Sequence, residues 1–100
     1  MDEKTLTALQ GSIKKWEKIV SGKGVDRGTE NCPLCAVFLP RCDGCPVKER
    51  TGRGFCYGSP YDDFSNTFSD TWGESIHKAD TPKRKRAALK ELKFLKSLLP

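Results

Sequence analysis

Apolar side chains recur at spacings of three and four in three stretches of this chain, and polar or glycine-rich stretches separate them. In DEKTLTALQGSIKKWEKIV, residues Leu6, Leu9, Ile13, Trp16 and Val20 fall on one stripe of an amphipathic helix over about residues 3–20. Asp2 is a suitable N-cap and Ser21-Gly22 a suitable stop. Gly11 interrupts the run at a cost of roughly 1 kcal/mol relative to Ala. The helix therefore needs its apolar face packed against something.

A second helix, over about 60–78, is announced by SPYDD. Ser59 serves as cap, Pro60 takes the first helical position, and Asp62 meets the positive end of the helix dipole. Phe64, Phe68, Trp72 and Ile76 follow at every fourth position, with Tyr61 on about the same side. Such an aromatic stripe is ordinarily core, and otherwise a stacking or partner surface. A third helix, over about 82–99, starts at Thr81-Pro82 and carries Ala88, Leu92, Leu95 and Leu99 as its apolar stripe, widened by Leu89 and Leu98. The stretch SGKGVDRGTEN reads as a loop; its GKG lacks the longer glycine frame and the strand–helix setting of a phosphate-binding loop. The expected architecture is mainly α: a small single domain, residues 1–100, of about three helices. The cysteine-rich stretch, about 31–58, forms a compact, metal-stabilised loop or short hairpin against them.

At 100 residues, 36% hydrophobic and 31% charged, the chain can bury only a small core, so a staple would help it. NCPLCAVFLPRCDGCPV supplies one candidate, with Cys32, Cys35, Cys42 and Cys45 as two CxxC pairs and Cys56 following in GFCYGSPY. Thiolates in CxxC reach one ion together, Pro33 presets the turn in CPLC, and Gly44 in CDGC suits a tight metal knuckle. The N-terminus MDEKTLTALQ has neither a signal peptide's apolar run nor a membrane span, which points to the cytoplasm, where thiols stay reduced. Five is also an odd number, so zinc held by four of the five cysteines leads over disulfides or simple thiols. The spacer AVFLPR is short, which leaves open whether the fourth ligand comes from the local pair or from Cys56. An iron–sulfur cluster is the lesser cofactor reading, because ferredoxin runs use tighter cysteine spacing. A thioredoxin-like dithiol lacks its βαβ context, and the lone His77 is a weak ligand candidate.

The net charge of +5 is unevenly spread: residues 59–80 carry −4 and residues 81–100 carry +6. Lys83, Arg86, Lys90 and Lys93 share one helical face, with Lys96 beside them. The run Lys83, Arg84, Lys85, Arg86 sits where the helix end is already positive, so an anion should relieve it. The acids Asp62, Asp63, Asp70, Glu74 and Asp80 are one source; a nucleic-acid backbone or an acidic host protein is another, and a plain solvated face is the alternative to all three. With one histidine and no recognisable nucleophile–base pattern, no catalytic residues stand out and an enzyme is disfavoured.

The ordered set CPLC, CDGCPV, TGRGFC, GSPYDDF and AALKELKFLKSLLP, over residues 32–99, resembles small, mostly uncharacterised cysteine-rich proteins of tailed phages and prophages. The resemblance implies a non-catalytic accessory protein acting in the bacterial host cytoplasm by binding a host protein, for instance in a defence system that handles nucleic acid. The alternative expectation is a zinc-stabilised nucleic-acid binder whose Lys83, Arg84, Lys85, Arg86, Lys90 and Lys93 contact phosphates. A redox or metal-handling protein is the lesser one.

Overall fold

The structure, a computed structural model, describes residues 1–27, 31–38, 43–53, 58–68 and 77–100. These residues are mainly helical: α1 (Glu3–Val20), α2 (Pro33–Phe38), α3 (Pro46–Thr51), α4 (Tyr61–Asn66) and α5 (Pro82–Ser97). The two long helices begin as their sequences dictate. The Asp2 carboxylate accepts the Thr5 N–H at 2.8 Å, and the Thr81 hydroxyl accepts the Arg84 N–H at 3.1 Å ahead of Pro82.

α1 is the organising element, packing along α5 and against α2, while α4 packs on α5. Leu9, Ile13, Trp16 and Ile19 from α1 meet Leu34, Val47, Phe64, Phe68, Ala88, Leu92 and Leu95 in one core. Gly11 has a packing reason that offsets its low helix propensity. A Cβ there would come within 3.1 Å of the Pro33 ring, so the start of α2 rests directly on the α1 backbone. The aromatic side chains pack edge to face: Trp16 on Phe64 at 5.0 Å, Trp16 on Tyr61 at 5.8 Å, and Phe64 on Phe68 at 5.1 Å between centroids.

Three expectations need correction. The helix expected over 60–78 ends at Asn66. Thr67 caps it, its hydroxyl donating to the Phe64 carbonyl at 2.7 Å, and the polar Ser65-Asn66-Thr67 run favours such local bonds over further helix. By residue 77 the backbone is extended: Asp26 and His77 exchange N–H···O=C bonds of 2.8 and 2.9 Å as an isolated antiparallel bridge. Trp72 and Ile76, expected on the same stripe, lie outside the described residues.

The cysteine stretch contains the short helices α2 and α3, and among the described residues it contributes no strand to the expected hairpin. Its segments PLCAVF and PVKERT each follow a cysteine and begin with proline, a helix-starting arrangement. Finally, the α5 stripe departs at its edges: Ala88, Leu92 and Leu95 join the core as expected and Leu98 packs against it, but its remaining members do not. Ala87, Ala88, Glu91, Leu92 and Leu95 face inward, whereas Leu89 and Leu99 are exposed.

Phe64 is fully buried between Trp16 and Phe68, so Phe64→Ala is expected to cost about 3–5 kcal/mol in urea unfolding with helicity retained in water. A loss below about 1 kcal/mol would show that this aromatic cluster is not core.

Candidate functional site

The loop after α1 brings a carboxylate into the interior. Asp26 is 0% exposed, and its oxygens accept hydrogen bonds from Lys15 Nζ and the Tyr61 hydroxyl, each at 2.8 Å. Lys15 reaches inward from α1, its ammonium 5.4 Å from the Trp16 ring centroid. Asn31 closes the loop around this pair: its amide donates to the Val25 carbonyl at 2.9 Å and its side-chain oxygen accepts the Arg27 N–H at 3.0 Å.

Cys32 follows directly as the residue that opens α2. Its Sγ accepts the Cys35 N–H at 3.3 Å, and its carbonyl accepts the Ala36 N–H. Hydrogen bonding from Cys35 is the chief influence that draws the Cys32 thiol down to about 6, with Lys15 assisting and burial opposing. Cys32 is therefore mostly thiolate at neutral pH. From α5, Glu91 is 2% exposed and its Oε1 has no hydrogen-bond partner. Burial pushes its carboxyl up to about 8, and the Cys32, Asp26 and Asp62 charges add to this while Lys15 opposes it. Burial thus favours a protonated Glu91 on α5, hydrogen bonding favours the thiolate of the half-buried Cys32 at the start of α2, and the Lys15–Asp26 pair joins α1 to the loop that follows it.

Cys32 and Cys35 stand together as the sequence predicts. Cys45 is buried at the start of α3 after Gly44, whose φ of 86° is the left-handed turn foreseen for CDGC. Cys32, Cys35 and Cys45 carry no disulfide. Cys42 and Cys56 lie outside the described residues, and among the described residues no three Cys, His, Asp or Glu side chains converge on a point one ion could occupy. His77 stacks on Phe68 at 4.2 Å between centroids.

The basic residues divide. Arg84 is turned inward: its guanidinium donates to Asp80 at 2.7 Å and to the Thr67 carbonyl at 3.1 Å, and lies 3.9 Å from the Phe68 ring centroid. Lys83, Lys85, Arg86, Lys90, Lys93 and Lys96 are exposed, and none forms an ion pair among the described residues. Asp70 and Glu74, expected as possible neutralisers, lie outside the described residues. No described helix is long and apolar enough to cross a membrane.

Lys15, Asp26, Tyr61 and Glu91 were not singled out as site residues. Glu91 alone had a clear signal: it is the sole acid in residues 81–100 and stands three and four positions from Ala88 and Leu95, on the apolar side of the helix. No protein-family profile matches this chain, and no curated protein or solved structure matches it either.

Glu91 holds its proton in the folded state and loses it in the unfolded one, so stability is full below about pH 4.5 and falls as pH rises toward about 8. Glu91→Gln should remove that slope. Urea midpoints at acid, neutral and mildly alkaline pH are expected to show the variant gaining on the wild type as pH rises; parallel profiles would contradict a buried neutral carboxyl.

Proposed function

We propose that this chain is a non-catalytic accessory binding protein of the phage type, acting in the bacterial cytoplasm by docking on an acidic surface of a host protein through the outer face of α5. The supporting observation is Leu89, 38% exposed. Lys85 and Arg86 lie one turn before it, Lys93 one turn after, and Lys90 adjacent. An apolar anchor inside a cationic ring has the make-up of a protein interface, a buried centre with a polar rim. Phosphate-backbone contact calls for the charges but not for the leucine. The phage resemblance extends the proposal to a host defence component that handles nucleic acid, engaged on an acidic surface.

The same proposal assigns the cysteines a structural zinc. Cys32 and Cys35 form one ligand pair, and two of Cys42, Cys45 and Cys56 furnish the remaining ligands. The Cys35 N–H bond to Cys32 Sγ, the lowered Cys32 thiol and the left-handed Gly44 all suit thiolate ligation. Lys15 offers positive charge to offset clustered thiolates. Such a site holds the fold and offers no open position for substrate.

Capture from nuclease-treated host lysate should retain the same partner with wild type and lose it with Leu89→Ser or Lys93→Glu. A fluorescent duplex or single strand should show no saturable binding at low salt. Binding whose log–log salt slope is about −0.9 per neutralised phosphate, and which Leu89→Ser leaves unchanged, would establish the nucleic-acid reading instead. Protein purified under reducing conditions is expected to contain stoichiometric zinc, and Cys35→Ser to lose it with a lower melting temperature. Zinc-free, fully folded protein would overturn the metal assignment.

A further inference from the structure

A cleft of about 360 Å³ lies between α4 and α5, lined by Asp63, Asn66, Thr67, Lys83, Arg86 and Lys90, with Ala87 at its base. We propose that this cleft binds a small hydroxyl-bearing phosphomonoester, the chemistry shared by a sugar phosphate and a nucleoside monophosphate. The proposal goes beyond the docking face, which the cleft borders through Arg86 and Lys90.

The charge count selects the anion. Three cations against the Asp63 carboxylate leave the lining at about +2, the complement of a phosphomonoester dianion. A carboxylate or a phosphodiester, each carrying a single negative charge, would leave cationic charge uncompensated. The volume is at the small end for ligand pockets, which fits one phosphoryl group with a compact organic part and excludes a duplex.

The polar lining selects the rest of the ligand. Lys83, Arg86, Lys90 and the Asn66 amide are donors suited to phosphate oxygens. Asp63 is an acceptor. The Thr67 hydroxyl already donates its proton to the Phe64 carbonyl at 2.7 Å, so toward the cleft its oxygen offers only lone pairs. Two acceptors beside a phosphate site would repel a bare phosphate and are satisfied by ligand hydroxyls. Arg84 fixes the width of the cleft: it joins the Thr67 carbonyl at the end of α4 to Asp80 ahead of α5, while packing on Phe68. Arg84 thereby ties the two backbone walls together, while the exposed Lys83, Arg86 and Lys90 side chains order around the ligand.

Titration of the full-length labelled protein followed by amide chemical shifts tests this, with ribose 5-phosphate, adenosine 5′-monophosphate, inorganic phosphate, ribose and acetate as probes. The two phosphomonoesters are expected to give saturable shifts at Asn66, Thr67 and Ala87, about tenfold tighter than inorganic phosphate or acetate. Tighter binding of the nucleotide than of ribose 5-phosphate would assign the source as a nucleotide, and equal binding a sugar phosphate. Lys83→Ala should weaken either by about tenfold, and Asp63→Asn should narrow the gap between ribose 5-phosphate and inorganic phosphate. Leu89→Ser should change nothing here, so loss of the docking partner and loss of cleft binding are read separately. No saturation in the millimolar range, equal response to acetate, or indifference to Lys83→Ala would overturn the proposal.

Discussion

A lysine and an aspartate paired in the interior decide how this chain is put together. Asp26 cannot be buried without Lys15 and Tyr61 to bond it, and Lys15 cannot turn inward from α1 without Asp26. Their pairing fixes the loop after α1, and the bridge from Asp26 to His77 ties in the segment that leads to α5. One buried carboxylate thus sets the relative placement of α1, α4 and the entry to α5. The start of the cysteine stretch is positioned by the contact of Pro33 with the α1 backbone at Gly11.

What remains outside follows from what is satisfied inside. Of the four consecutive bases that open α5, Arg84 alone is spent on internal side-chain bonds among the described residues, and it ties α4 to the entry of α5. The others stay in solvent at the helix end where positive charge is least welcome. That charge surrounds Leu89, which stands on the outer side of α5 opposite the buried Glu91.

The long helices were legible because cap, proline and apolar spacing agree with one another at Asp2 and at Thr81-Pro82. The helix from Tyr61 was legible at its start and misleading in its length, since four-residue aromatic spacing continues past the point where Thr67 ends the helix by local bonding. In α5 the spacing finds Ala88, Leu92 and Leu95 in the core, but hydrophobicity alone cannot rank Leu89 against a buried Glu91. The turn at Gly44 and the pairing of Cys32 with Cys35 were readable from local chemistry. Lys15, Asp26 and Tyr61 were not, because their partners are far apart in sequence and each residue taken singly looks like ordinary surface.

Asp26 and its bridge to His77 belong to the folded core. Native-state amide hydrogen exchange tests this directly. The Asp26 and His77 amides should exchange only through global unfolding, at the same free energy as Ile13 and Trp16 in the middle of α1. If those two amides instead exchange through a local opening while the α1 amides stay protected, the loop is not anchored by its buried carboxylate and the central role assigned to Asp26 is wrong.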